Sequence, residues 1–149
     1  MSSLMQANPA VGTRSEGRSL QLSLPRILAF SAGNFGEPGW PHRNLHTDTE
    51  IARNAGLEDL IASGTQFEGL LLSHLISLFG ASWHETGELE AKIVKSCFVD
   101  DVVTPVAVVV SADKSDGGAK IVLDVWCEKQ SGEKVIVGTA SAIVSERLL

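Results

Sequence analysis

The most apolar stretch of the chain covers residues 65–79 and reads TQFEGLLLSHLISLF. Its large apolar side chains, such as Leu71, Leu75 and Leu78, recur three and four residues apart, which is the spacing of a helix. Further apolar residues broaden this face until it almost surrounds the helix, and such a helix is typically buried. The pattern therefore predicts a long central helix that Gly80 ends.

Beyond Gly80 the apolar positions alternate with polar ones, which is the two-residue period of a strand. In residues 119–129, for example, every odd position from Ile121 to Cys127 is apolar, while the even positions are charged except for Val122 and Trp126, so one face packs and the other is largely wet. The intervening segments Ser-Asp-Gly-Gly and Gln-Ser-Gly-Glu are typical of hairpin turns. We therefore predict β structure throughout this half, with strands joined mainly by hairpins at residues 87–98, 102–111, 119–129 and 134–145.

The first third of the chain has a more interrupted pattern. Leucines at every second position predict a strand over residues 20–24, and a short helix is expected over 26–32. Residues 33–45 hold three Gly and two Pro, which predicts a long loop, and long ordered loops are often functional. A second short helix is expected over residues 47–54, with Gly56 closing it.

This order of elements is typical of an α+β domain in which an antiparallel sheet wraps around the central helix. Residues 1–17 are rich in Ser, Gly and Asn without periodicity, and we expect them to be a flexible leader. The remaining residues, 18–149, are enough for a single domain of ordinary size.

Composition narrows the class of protein. The net charge of −6 argues against a nucleic-acid partner, because phosphate binding needs a basic surface. No apolar run reaches the ~20 residues that span a membrane, and the first residues lack the apolar core of a secretory signal. Cys97 and Cys127 lie in apolar runs outside any metal or redox motif. We therefore expect buried thiols in a cytoplasmic protein, although a disulfide between neighbouring strands stays open.

His46 is the first candidate for chemistry, because it lies where the predicted loop meets a helix N-terminus. The partial positive charge of that terminus would keep the imidazole neutral, as a base must be. Asp48 could cap this helix or orient the imidazole through a ring N–H. A purely structural histidine that fixes the loop is the alternative.

The second candidate is the segment 61–65, Ile-Ala-Ser-Gly-Thr, at the start of the central helix. Small residues let a ligand approach the backbone, and the N–H groups of Gly64 and Thr65 could then donate to a carbonyl oxygen. One such donor is typically worth ~2.7–4 kcal/mol in a transition state. The alternative is an ordinary helix start, with Ser63 as the cap and the glycine serving helix–sheet packing.

Four other residues carry weaker signals. Glu68 lies one turn inside the helix, where it faces either a cavity or solvent. His74 is best interpreted as a core or edge histidine and His42 as a loop residue, while Trp40 could form the wall of a pocket. The chain has no glycine-rich phosphate loop, no metal-ligand spacing and no Gly-x-Ser-x-Gly motif, so we predict neither a cofactor nor a metal.

The run FSAGNFGEPGWPHRNLHTDTEIARNAGLEDLIASGTQFEGLL resembles MaoC-like dehydratases and (R)-specific enoyl-thioester hydratases. The similarity lies in the aromatic-Ser-Ala start, the HRNLHTD core, the AGL turn and the IASG entry to the central helix. It implies the hot-dog fold, in which a sheet wraps a long helix and chains pair into dimers. It also implies that His46 corresponds to the catalytic histidine, and Gly64 to the glycine whose N–H polarises the thioester carbonyl.

One departure affects the acid–base chemistry that the resemblance implies. The family carries an Asp five residues before the histidine and an Asn two residues after that Asp, but this chain has Pro41 and Arg43 there. The resemblance implies a hydro-lyase acting on an acyl thioester of CoA or an acyl carrier protein, with Asn44 or Asp48 positioning the imidazole or the water. The alternatives are a thioesterase, isomerase or cyclase that uses Glu68, or a non-catalytic acyl-binding subunit of a heteromeric dehydratase. The site residues that the sequence predicts are therefore His46, Gly64 and Asp48 for catalysis and Trp40, Asn44, Ser63, Thr65 and Glu68 for substrate binding.

Overall fold

A computed structural model describes residues 9–145 of the chain. Short strands and helices come first, the long helix lies in the middle, and long strands form the second half, as the apolar pattern predicts. In chain order the elements are β1 (Arg14–Glu16), β2 (Leu20–Gln21), α1 (Leu24–Ser31), α2 (Thr49–Asn54), α3 (Gly64–Phe79), α4 (Ala81–Thr86), β3 (Glu88–Ile93), β4 (Val102–Ser115), β5 (Gly118–Lys129) and β6 (Lys134–Val144).

The strands form one antiparallel sheet in the order β1-β4-β5-β6-β3, and β2 also pairs with β4. The predicted hairpins β4–β5 and β5–β6 are both present. The first of the four predicted strands, β3, pairs with β6 instead of with β4. The chain therefore crosses from one edge of the sheet toward the other between β3 and β4.

Helix α3 lies against one face of this sheet and supplies much of the core. Phe67, Leu71, Leu75 and Phe79 are fully buried on it, and each such side chain is worth ~1.5–3 kcal/mol before entropy is subtracted. The alternate residues of β5 meet them from the sheet, as the two-residue period predicts: Ala119, Ile121, Leu123, Val125 and Cys127. This arrangement confirms the predicted α+β class with an antiparallel sheet around a central helix.

The prediction of β structure throughout the second half is wrong for residues 81–86, which form α4. Gly80 has φ of 58° and turns the chain sharply after α3. Thr86 then accepts a hydrogen bond from the N–H of Ile143 and donates one to the carbonyl of Ser82. These polar contacts hold α4 at the sheet, so the helix forms without the apolar periodicity that would have predicted it.

The amino-terminal strands also differ from expectation. Residues 14–16, which we expected within a flexible leader, form β1 beside β4, with Ser15 opposite Ala107. Backbone pairing with β4 forms this strand, and Arg14 adds contacts with Glu128 and Trp126 of β5, so its polar side chains give no periodic signal in the sequence. The part of the predicted leader over residues 1–8 lies outside the described residues.

Two predicted strands are shorter in the structure. The expected strand over 20–24 is limited to β2, because Leu24 is already the first residue of α1. The expected strand over 87–98 ends at Ile93. The chain then leaves the sheet and returns along the segment that leads into α3, where Phe98 forms an isolated bridge with Ile61.

Both cysteines are buried free thiols, as predicted. Burial raises the pKa of the Cys97 thiol and that of the Cys127 thiol to about 12, so the reactive thiolate is scarce at neutral pH. Among the described helices, none has the length and apolar character needed to cross a membrane.

Candidate active site

The loop between α1 and α2 is held in place around His46 by its own side chains. Asn44 donates from Nδ2 to the carbonyl of Ser31 and accepts the backbone N–H of His46 at Oδ1, both at 2.8 Å. The Thr47 hydroxyl donates to the carbonyl of His42 and accepts the backbone N–H of Asn44. A segment rich in Gly and Pro thus has a defined conformation at the histidine.

The His46 imidazole is partly buried and bonds to backbone, not to a carboxylate. Its Nδ1 lies 2.7 Å from the carbonyl oxygen of Ile61. Because a carbonyl oxygen only accepts, Nδ1 must carry the hydrogen in the neutral ring. Nε2 then holds the lone pair, and no residue in the range 9–145 hydrogen-bonds to it. In the neutral ring, Nε2 is therefore the atom that can accept a proton.

This carbonyl belongs to the segment that leads into α3, which brings two predicted site residues into one neighbourhood. Ile61 precedes Gly64, the first residue of α3, by three positions. Three residues span at most roughly 10 Å. The segment is fixed in turn by the Ala62 N–H, which donates to the carbonyl of Cys97 at 2.8 Å.

The first turn of α3 has free donors. Ser63 occupies the N-cap position, but its side chain makes no capping bond, and its hydroxyl lies 2.8 Å from that of Thr65. The N–H groups of Gly64 and Thr65 have no partner one turn earlier, as at any helix start. Together with the positive end of the helix dipole, they can stabilise a negative oxygen.

Asp48 serves the helix rather than the histidine. Its Oδ1 accepts the N–H groups of Glu50 and Ile51 at 3.0 and 3.1 Å, which makes it the N-cap of α2. Its Oδ2 lies 2.5 Å from Nε of Arg43. The Arg43 guanidinium and the capped N–H groups lower the pKa of Asp48. Of the two roles that the sequence left open for Asp48, the structure shows the cap.

Among residues 9–145, no hydrogen bond or ion pair joins Trp40, Glu68 or His42 to His46. Trp40 is partly buried and packs against Phe35, with ring centroids 4.4 Å apart. Glu68 is partly buried on α3, four residues after Gly64. The His42 ring packs against Gly33 and lies 3.9 Å from a Glu37 oxygen, so it belongs to the loop surface and does not meet His46.

Sequence reasoning missed two parts of this site. The Ile61 carbonyl is a backbone group, and its bond to His46 therefore depends on tertiary structure alone. Ile93, at the end of β3, lies over Gly64, and its apolar character in a predicted strand gave no indication of this position. Within the described residues, no three His, Cys, Asp or Glu side chains converge as metal ligands would.

Comparison with known proteins shows which fold the chain has. No family model matches the sequence, and no curated protein is significantly similar to it in sequence. A MaoC-like dehydratase from Rhodospirillum rubrum superposes with a TM-score of 0.73 at 20% identity, over 92% of this chain and 93% of that one.

Two further structures show the same likeness. The (R)-hydratase from A. caviae involved in PHA biosynthesis gives a TM-score of 0.64 at 22% identity, covering 91% of this chain and 97% of that one. The HadBC complex from Mycobacterium tuberculosis, a 3R-hydroxyacyl-ACP dehydratase, gives 0.62 at 14% identity, covering 93% and 99%. The chain therefore has the hot-dog fold of the MaoC-like dehydratases and (R)-hydratases, as the sequence resemblance implied.

Proposed function

We propose that the protein is a hydratase or dehydratase of acyl thioesters, with His46 as its general acid and base. The observation that carries this proposal is the His46–Ile61 hydrogen bond. This bond leaves Nε2 free to take a proton. Its acceptor, Ile61, lies three residues before Gly64, where α3 begins without a side-chain cap. The fold shared with dehydratases and hydratases supports the same reaction class.

In the proposed reaction the thioester oxygen accepts the N–H of Gly64. Nε2 of His46 removes the α-proton of a 3-hydroxyacyl thioester, and the negative charge moves onto the thioester oxygen. The bond from the β-carbon to its hydroxyl oxygen then breaks, and Nε2 returns the proton to the departing oxygen as water. The product is the enoyl thioester, and hydration is the same sequence in reverse.

This scheme suits a chain that has Pro41 where the family has an Asp. One imidazole handles both proton transfers, because the proton it takes from carbon is the one that the leaving oxygen needs. General acid–base catalysis usually supplies ~10²–10⁴ in rate, and a helix-start N–H ~10²–10³. These two contributions do not require a carboxylate.

The test is His46→Ala, for which we expect turnover to fall at least ~100-fold because the base is lost. The assay measures hydration of enoyl-CoA substrates of increasing chain length as a decrease in the absorbance of the conjugated enoyl group. Melting curves check the fold. The matched control is His42→Ala, from the same loop, which should retain turnover. An active His46→Ala enzyme, or free-thiol release in place of hydration, would refute the proposal.

The second candidate function is that of one subunit in a heteromeric dehydratase, and the same departure at Pro41 favours it. One subunit of a heteromeric dehydratase needs no acid of its own, and one structurally similar protein is the HadBC complex. In that case the purified chain is inactive and gains His46-dependent activity when a second hot-dog chain co-purifies with it.

A further inference from the structure

Gly64 is covered on one side by the side chain of Ile93. A Cβ built on Gly64 would overlap Cδ1 of Ile93 and would lie 3.4 and 3.8 Å from its Cγ1 and Cγ2. The Cδ1 methyl of Ile93 thus occupies the space that a side chain at position 64 would need. The glycine and the isoleucine are complementary in shape.

This contact puts an apolar wall beside the free N–H group. A Cβ lies about 2.5 Å from the nitrogen of its own residue, so the Ile93 methyl is within about 5 Å of the Gly64 nitrogen. An oxygen bound to that N–H lies about 2.7–3.2 Å from the nitrogen. The carbon atoms attached to that carbonyl reach contact distance of Ile93 when the bound group extends toward the Cα side of Gly64.

Ile93 is held there by the sheet and still has free surface. It is the last residue of β3, opposite Ile136 of β6, and the next residue, Val94, donates its N–H to the carbonyl of Val135. Its exposed fraction is 48%, which is high for a large apolar side chain. The backbone fixes its position, while part of the side chain remains available to a ligand.

We propose that Ile93 determines the substrate specificity of this site by limiting bulk at the α-carbon of the acyl group. The inference rests on the proposed function, since it takes Gly64 as the donor to the thioester oxygen. In this proposal the acyl side of the thioester, not its sulfur, faces β3, so an extra methyl group on the α-carbon competes with the Ile93 side chain for the same space. The site accordingly prefers acyl groups that are unbranched at the α-carbon.

The effect has a calculable size. One methyl or methylene group in an apolar pocket discriminates between substrates by roughly 10–200-fold in kcat/KM. Ile93→Ala removes three carbons from the wall, which is more space than one methyl group needs. We therefore expect the ratio of kcat/KM for a 2-methyl substrate to that for its linear parent to rise at least ~10-fold.

The experiment compares but-2-enoyl-CoA with 2-methylbut-2-enoyl-CoA in the wild type, Ile93→Ala and Ile93→Val. The matched control is Val94→Ala, the exposed neighbour on the same strand end, for which the ratio should not change. A second readout is calorimetric binding of ketone analogues, in which a methylene group replaces the thioester sulfur, with and without the α-methyl group. Light scattering and melting curves check that each variant keeps its assembly and fold.

The outcomes separate the two proposals. A ratio that rises in Ile93→Ala, and less in Ile93→Val, supports the inference. An unchanged ratio in a folded Ile93→Ala enzyme whose activity still depends on His46 overturns this inference alone. A wild-type protein that neither turns over these thioesters nor binds either ketone overturns both, and if Ile93→Ala does not fold, the Ile93→Val ratio decides.

Discussion

At the scale of single residues, the existing hydrogen bonds determine which side chains can take part in proton transfer. His46 has one ring nitrogen bonded to the Ile61 carbonyl, which selects the tautomer with a basic Nε2. Asn44 holds the backbone of the same residue. In Asp48, by contrast, Oδ1 caps α2 and Oδ2 accepts from Arg43. Its proximity to His46 in sequence therefore does not make it part of the proton transfer.

We therefore predict that Asp48 affects stability and not turnover. Asp48→Ala removes the N-cap and should lower the melting temperature, whereas Asp48→Asn should lower it less, because Asn is also a good N-cap. Since the pKa of Asp48 is lowered in the folded protein, its stabilisation is present at neutral pH and is lost as the pH falls through that lowered value. The Asp48→Ala and wild-type melting temperatures should thus converge in acid.

Glu50→Gln is the control for this prediction, because Glu50 lies on the same helix turn and near the same arginine. Its effect on melting should be smaller than that of Asp48→Ala. If Asp48→Asn lost turnover as His46→Ala does, while its melting temperature stayed near that of the wild type, Asp48 would have a chemical role.

Whole elements differ in how far their sequence determines them. Helix α3 was predictable to within one residue, because its apolar spacing and the following glycine both act locally. Helix α4 and strand β1 were not, since the first depends on polar contacts of Thr86 and the second on backbone pairing with β4. The His46–Ile61 contact belongs to the same group, because it joins a side chain to a distant backbone carbonyl.

His74 shows how one side chain connects such elements. It is a buried residue of α3, as predicted, with 6% of its surface exposed, and its Nε2 has no hydrogen-bond partner. The ring is hydrogen-bonded to the backbone of Ser15 in β1 and packs against Gly17. It borders a cavity of about 150 Å³ in which Arg18 is the charged lining residue. A second positive charge would be unfavourable there.

This environment predicts a loss of stability in mild acid. Burial lowers the pKa of His74 below its ordinary value of 6.5, and the bond to Ser15 offsets only part of that. Below about pH 6.5 the unfolded chain takes up a proton at this position while the folded protein does not, so unfolding becomes easier as the pH falls. Above that pH the penalty is absent.

The measurement is the urea midpoint between about pH 5 and pH 8 for the wild type, His74→Gln and His84→Gln. His84 is exposed on α4 and serves as the matched control. The midpoint of His74→Gln should vary less with pH than that of the wild type, and His84→Gln should follow the wild type. Equal pH dependence in all three proteins would rule out His74 as the acid-sensitive group.

At the scale of the whole molecule, the sheet ends in an open edge. Strand β3 pairs with β6 on one side, and on its other side no strand of the described chain covers it. Its exposed face carries Glu90 and Lys92, neither of which has an ion-pair partner within residues 9–145. An antiparallel copy paired about Ala91 would place each glutamate opposite the other chain's lysine. The homodimer that the sequence resemblance implies can therefore form through this edge by extending the sheet.

A charge exchange tests this dimer. Glu90→Lys puts two lysines opposite each other at both symmetric positions, and cross-strand pairs are worth roughly 0.2–1 kcal/mol each. The dissociation constant should then rise by roughly one to two orders of magnitude. The double variant Glu90→Lys with Lys92→Glu restores opposite charges in every pair and should dimerise like the wild type, with a mass of two 15.8 kDa chains by light scattering. Glu85→Lys, with the same change of net charge on α4, should have no effect. If the single and double variants dissociated alike, the two chains would have to meet in another register or at another surface.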